Sequence, residues 1–344
     1  MKARRVVFTE PYKAVLEEFE LDDATLGEQE ILLRTLYSII SAGTEGAAFT
    51  GLEAEHPGAR DFRYPRGTGY GNIGEVLRVG SGVKDFKEGD VVFTTAPHAS
   101  HAKFNTYQRV CVKVPDGLDL KKAVFVRMAG VSITAVRKAD FSLGDTVLVI
   151  GMGLVGNLAA QEFLLAGADV MAVDIAASRL ERARQCSITN VVNPQTTDLP
   201  QAVHDWTEGK GARVVVEAIG QPELIAQGVQ LARRHGDIIL LGSPRQRVTM
   251  DVTPMLSRIH LQGLHLKGAL EWLYSIPELD VVRHSIIGNT KQIFRWLQGG
   301  QLKTEPLLTH LLPPTECQQA YSGLADKKEE YLGVVFDWTT MAGG

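Results

Sequence analysis

Cysteine is scarce. Three residues in 344, Cys111, Cys186 and Cys317, are too few and too far apart for a disulfide framework and suit a reducing compartment. Neither sign of charge is in excess: 40 acidic side chains stand against 36 basic ones, a net charge of −4. With no basic run, the electrostatic footprint of a nucleic-acid binder is missing. No apolar stretch approaches the roughly 20 residues of a membrane helix. Residues 1–10 enter strand-like alternation directly, without a signal peptide's apolar segment and cleavage site. The expectation is a cytoplasmic protein with neither nucleic-acid nor membrane partners. Hydrophobic residues at 44% and charged residues at 22% make an ordinary globular composition. At about 100–200 residues per domain, the chain has room for two.

The first hundred or so residues alternate short strand-like runs with turn chemistry. Residues 31–37 and 74–79 read as strands. Gly80-Ser81-Gly82 and Lys87-Glu88-Gly89-Asp90 read as turns, and 91–93 resumes the strand pattern. This texture predicts a small all-β barrel or sandwich. Near residue 130 it changes. Thr146-Val147-Leu148-Val149-Ile150 is a continuous apolar run, as in a parallel strand buried on both faces. A helix should follow with Leu154, Val155, Leu158, Ala159 and Phe163 inward and Asn157 and Glu162 outward, ending at Gly167. Strands over 170–173, 214–218 and 238–241, with a helix over 222–234, continue the alternation, which predicts a doubly wound parallel sheet. A helix over 290–297 and a strand over 332–336 close the chain.

Gly151-Met152-Gly153-Leu154-Val155-Gly156 matches G-x-G-x-x-G, and here a buried strand ends at Ile150 and an amphipathic helix starts within the motif. Gly151 permits the tight turn, Gly153 lets the backbone approach a pyrophosphate, and Gly156 lets helix and strand pack closely. The helix N-terminus offers free N–H groups and the positive end of the dipole to the phosphates. Asp174 stands 18 residues beyond Gly156, where an acid hydrogen-bonds the adenosine ribose and repels a 2′-phosphate. NAD is the expected cofactor, with Arg179 beside the adenine end.

Other segments carry a resemblance. Ser41-Ala42-Gly43-Thr44-Glu45, the run from Gly67 to Val76, Gly80-Ser81-Gly82-Val83, the run from Phe86 to Val92, Leu266-Lys267-Gly268-Ala269 and Leu307-Leu308-Thr309-His310 resemble the medium-chain dehydrogenase/reductase superfamily. Its polyol, sorbitol and threonine dehydrogenase branch looks most similar. The resemblance implies an α/β protein with two domains: a GroES-like β-barrel catalytic domain over 1–128 and 271–344, and a Rossmann domain over 129–270. It also implies that Val131 and Val155 back the nicotinamide, that Gly242 and Gly268 belong to the cofactor site, and that the protein is a homodimer or homotetramer paired through an edge strand around Leu264-His265-Leu266.

Departures from the family pattern carry chemistry. Zinc-bearing members have Cys-Gly-(Ser/Thr)-Asp where this chain has Ala42-Gly43-Thr44-Glu45, and Gly-His-Glu where it has Gly69-Tyr70-Gly71. Counted back without gaps from Thr146, their third ligand falls on Arg127. Zinc takes thiolate, imidazole or carboxylate, and a methyl, a phenol and a guanidinium offer none of these. The four-cysteine structural zinc lobe is missing as well, since Cys111 is the one cysteine between residues 90 and 115. The expectation is a metal-free enzyme in which Tyr70 exchanges the substrate proton and Arg127 supplies fixed positive charge favouring the phenolate. Thr44 corresponds to the hydroxyl starting the family's proton relay, and Glu45 is placed to orient Arg127 or bind a hydroxyl. His56, His98 and His101 are expected in loops touching substrate, the last two forming an H-x-x-H that is a rescue candidate for metal.

The resulting expectation is a zinc-independent, NAD-dependent dehydrogenase of a secondary alcohol on a sugar, polyol or cyclitol. A segment like Ser-Ala-Gly-Thr-Glu also occurs in the zinc-free bacteriochlorophyllide hydroxyethyl dehydrogenase branch, which leaves room for a larger hydroxyalkyl substrate. The alternatives are an enone or quinone reductase, whose usual NADPH Asp174 opposes, and a non-catalytic nucleotide-binding protein.

Overall fold

The computed structural model describes residues 1–55 and 62–341, and the chain divides into two compact units. One comprises residues 1–128, 274–300 and 307 onward; the other comprises 129–273 and 301–306.

The second unit is built on six parallel strands. Numbered along the chain they are Thr146–Ile150, Asp169–Val173, Asn190–Val192, Ala212–Glu217, Ala232–Leu240 and His265–Gly268, in spatial order 3-2-1-4-5-6. This is the doubly wound dinucleotide-binding order, in which the direction of winding reverses beside the first strand. Val147, Leu148 and Val149 are fully buried because helices must cover both sheet faces. Leu148, Ile150, Met171, Val215, Val229 and Ile238 form the core on one side.

The helix Leu154–Leu165 follows the first strand, and Gly167 at φ +89° lies just beyond its end. Its expected outer face is not outside. Asn157 and Glu162 are both fully buried. Gln161 explains part of the cover: its amide donates to the Lys303 carbonyl and its oxygen accepts from the Lys303 N–H, drawing 301–306 onto the helix. That segment, and 271–273, therefore belong to this unit rather than to the catalytic part to which the sequence assigns them. Burial pushes the Glu162 carboxyl well above the usual range, against opposing effects of Ser132 and Arg137. The helix expected over 222–234 spans Pro222–Leu231, since Ala232 turns extended and pairs with Ala212.

The first unit is mainly antiparallel. A seven-stranded sheet runs Leu308–Leu312, Gly333–Asp337, Glu30–Ile39, Asn72–Val79, Val91–Thr94 and Cys111–Lys113, with His101–Asn105 also paired to Glu30–Ile39. Its one parallel pair joins the first two strands named. A three-stranded sheet holds Lys13–Glu20, Lys2–Glu10 and Arg66–Gly67. Phe8, Phe49, Tyr321, Phe336 and Trp338 pack in one core cluster with the short helix Thr44–Thr50. Among the described residues, no helix is long and apolar enough to cross a membrane.

Candidate functional site

In the second unit the glycine motif forms a strand–turn–helix. Gly151 sits at φ +98°, a region closed to most side chains. A Cβ on Gly156 would lie 1.9 Å from the Gly151 carbonyl oxygen, so only glycine lets the helix start this close to the strand end. Gly153 caps the helix without a side-chain hydrogen bond, and a Cβ placed on it would meet nothing within 4 Å. Its turn thus presents open space to uncapped N–H groups, which fits a dinucleotide pyrophosphate. Leu154 is buried and Val155 half-buried in the first turn. Val131 is half-buried in the helix Val126–Lys138, Gly242 packs tightly on Gly220, and Gly268 ends the sixth strand in open space.

Asp174 does more than wait for a ribose. One carboxylate oxygen accepts from the Met152 N–H at 2.7 Å and the other from the Ala176 N–H at 2.8 Å, which ties the glycine turn to the end of the second strand. The Arg179 guanidinium lies 3.5 Å from the same carboxylate. Each carboxylate oxygen has further acceptor capacity, so the ribose role remains chemically open.

In the first unit Tyr70 is held from both sides. The backbone of Gly69 lies against His98, where a Cβ would fall 2.4 Å from the His98 nitrogen. A Cβ on Gly71 would fall 2.4 Å from the Arg127 Cγ, so the missing side chain there is the room the arginine stem fills. The Arg127 guanidinium carbon stands 5.2 Å from the Tyr70 ring centroid, a cation–π arrangement, and the phenol donates to the Ser41 hydroxyl at 2.5 Å. Arg127 is fully buried. Burial lowers its pKa to about 10 against the opposing pull of Tyr70, so it stays charged at neutral pH. Tyr70, Thr44, Glu45, Thr68 and Arg66 line a pocket of ≈ 110 Å³, with Thr44 exposed at its rim.

Glu45 corrects one expectation. Its carboxylate is 4% exposed and is turned onto Ser41, Thr68, Tyr321 and His98 rather than onto Arg127. One oxygen accepts from the Ser41 N–H at 2.8 Å; the other accepts from the Thr68 and Tyr321 hydroxyls, both at 2.5 Å, and meets His98 Nε2 at 3.1 Å. Burial alone would raise its pKa, but the charge of His98 and these hydrogen bonds bring it below the ordinary carboxylate value. Burial and the carboxylate together push the Tyr321 phenol far up, so it remains a donor.

His98 lies in a loop, as expected, but faces the interior. It is fully buried, with Nδ1 2.7 Å from the Ser38 hydroxyl, which also accepts from the Trp338 indole at 2.8 Å. His101 opens the strand His101–Asn105 and lines a separate groove with Arg34, Ser100 and Lys2, so the H-x-x-H pair does not converge. His56 lies outside the described residues. The sequence assigns no role to Ser41, Thr68, Tyr321, Ser38 or Trp338; Ser41 and Thr68 lie inside family-like segments, while Tyr321 and Trp338 join Glu45 and Ser38 across 276 and 300 residues with no local signal.

At the positions that the resemblance matches to catalytic zinc ligands, Ala42, Tyr70 and Arg127 supply no thiolate, imidazole or carboxylate, and these side chains do not fit that ion. Among the described residues, no three His, Cys, Asp or Glu side chains gather as a metal would require.

Comparison with known proteins agrees with the fold. The family model for zinc-binding dehydrogenases matches residues 155–280. The chain is 28% identical to the D-guloside 3-dehydrogenase of Escherichia coli K12 over 97% of its own length and all of that protein. It is 25% identical to the 2-desacetyl-2-hydroxyethyl bacteriochlorophyllide A dehydrogenase of Cereibacter sphaeroides over 99% of this chain and all of that protein. The crystal structure of galactitol-1-phosphate dehydrogenase from Escherichia coli superposes with a TM-score of 0.82 at 20% identity, covering 97% of this chain and 99% of that one. With the 3-2-1-4-5-6 sheet and its glycine turn on one unit, and on the other the antiparallel sheets, the loop that carries Tyr70 and the start of the helix that carries Arg127, the chain resembles the medium-chain dehydrogenase/reductase superfamily in sequence and in fold.

Proposed function

We propose that the protein is an oxidoreductase that transfers hydride between NAD(H) and a secondary alcohol or ketone of a sugar, polyol or cyclitol, without zinc. The observation that carries this is the buried Arg127 against the ring of Tyr70, whose phenol lines a pocket with Thr44. Bound NAD supplies the hydride acceptor for oxidation and, as NADH, the donor for reduction. Gly151, Gly153 and the helix N-terminus hold its pyrophosphate, Asp174 and Arg179 its adenosine end, and Val131, Val155, Gly242 and Gly268 line its path. In reduction the Tyr70 phenol gives its proton to the oxygen that forms, and in oxidation its phenolate takes the proton of the substrate hydroxyl. Arg127, buried against the Tyr70 ring, offers fixed positive charge that favours the phenolate, needing no reorganisation during the reaction. Thr44 hydrogen-bonds the substrate or passes its proton outward. The sugar and polyol class is supported by the guloside activity in the name of one relative and the galactitol phosphate activity in that of a structural neighbour. The edge strand His265–Gly268, with Leu266 45% exposed, suits pairing into a homodimer or homotetramer.

The test is a screen of sugars, polyols and inositols for NAD reduction with and without a strong chelator. Turnover on at least one of them, unchanged by chelator, is the expected result. Loss of activity restored by Zn²⁺ would overturn the metal-free mechanism, and no turnover on any of them would overturn the function.

Cofactor choice gives a second expected outcome. NADH binds at least about tenfold more tightly than NADPH, because a carboxylate at the ribose edge repels a 2′-phosphate. Asp174→Ser narrows that ratio roughly tenfold. Fluorescence titration with both reduced cofactors measures it, and tighter binding of NADPH to the unaltered protein would favour the enone reductase alternative.

A further inference from the structure

We propose that Ser41 is the positioning residue of Tyr70, held in place by the Glu45–His98 pair. The proposal rests on the functional reading above and adds a residue to it. Ser41 is 6% exposed and is fixed by three hydrogen bonds. Its hydroxyl accepts from the Tyr70 phenol at 2.5 Å, its N–H donates to Glu45 at 2.8 Å, and its carbonyl accepts from the Glu45 N–H at 2.9 Å. Glu45 in turn meets His98, and His98 is the surface on which Gly69, next to Tyr70, is packed. The His98 N–H also donates to the Thr68 carbonyl at 2.8 Å, on the other side of Gly69. Backbone and phenol of Tyr70 therefore both lead back to one buried pair, Glu45 and His98.

Burying a carboxylate is costly unless its acceptor positions are filled, and here the Ser41 N–H, the Thr68 and Tyr321 hydroxyls and His98 fill them, which sets one geometry. A serine hydroxyl suits the task because it is donor and acceptor at once. It accepts from the phenol while Tyr70 holds its proton and can donate to the phenolate after the proton has moved. The contact persists through proton transfer, and the phenol oxygen keeps its place beside the pocket in both states. Ala, Val or Cys at position 41 would pack but would not offer this.

A double-mutant cycle on the substrate found by the screen tests the idea. Ser41→Ala is expected to lower kcat about ten- to a hundredfold while KM for the alcohol moves less than about twofold, and Ser41→Thr recovers most of the loss. In a Tyr70→Phe background the same serine change costs less than about twofold, because the phenol it acts through is gone. Thermal denaturation identifies misfolded variants, with Ser41→Thr as the variant that keeps the hydroxyl. Wild-type kcat in Ser41→Ala, or an equal loss in both backgrounds, overturns the positioning role alone. Wild-type turnover in Tyr70→Phe overturns the catalytic role of Tyr70 and this inference with it.

Discussion

Tyr70→Phe lowers turnover about 10²–10⁴-fold, the range expected for removing a general acid–base group, and leaves NADH affinity unchanged. The substitution is selective because phenylalanine keeps the ring that the Arg127 guanidinium faces at 5.2 Å and loses only the oxygen. Steady-state kinetics alongside NADH fluorescence titration separates the two effects. Turnover within a factor of three of wild type would show that the proton travels elsewhere, with Thr44 and Thr68 the other hydroxyl residues on the pocket wall.

The second large effect is on stability. Glu45→Ala leaves the buried His98 and two buried hydroxyls without their acceptor, and breaking one side of such a pair costs about 3–5 kcal/mol. At roughly 2–4 °C per kcal/mol, the melting transition falls by about 6–20 °C. Glu45→Gln keeps the size and an acceptor oxygen and costs less. The pH dependence follows from the direction of the shift. The native carboxylate has a lower pKa than an unfolded one, so its contribution is fully present above the ordinary glutamate range and is lost as pH falls through the native value. The advantage of wild type over Glu45→Gln therefore shrinks below about pH 4. Calorimetry from pH 7 downward tests this, and an unchanged melting temperature for Glu45→Ala would refute the role given to the pair.

Much of the second unit is legible in the sequence because its signals are local. An uninterrupted apolar run, a glycine turn and an acid at the next strand end are contiguous patterns, and each marks a backbone conformation or a burial class. The helix Leu154–Leu165 shows where that stops: periodicity finds its inner face, but the cover over Asn157 and Glu162 comes in part from 301–306, some 140 residues away. The candidate site divides in the same manner. Tyr70 and Arg127 emerge from comparison with the family's ligand pattern, and the structure brings them together. His98 was misplaced because a histidine between turn residues looks solvent-facing. Its burial depends on partners from Ser38, Glu45 and Phe336, which no window of sequence contains.

The empty side-chain position at Gly71 ties two codons together. Family members with zinc carry a glutamate there, and in this chain the stem of Arg127 occupies the volume its first carbon would need. Placing a histidine at 70 and a cysteine at 42 would leave the buried Arg127 cation beside them, and a glutamate at 71 would collide with that same arginine. Positions 71 and 127 are thus coupled: a side chain at the first needs a smaller one at the second, and the two can change only as a pair.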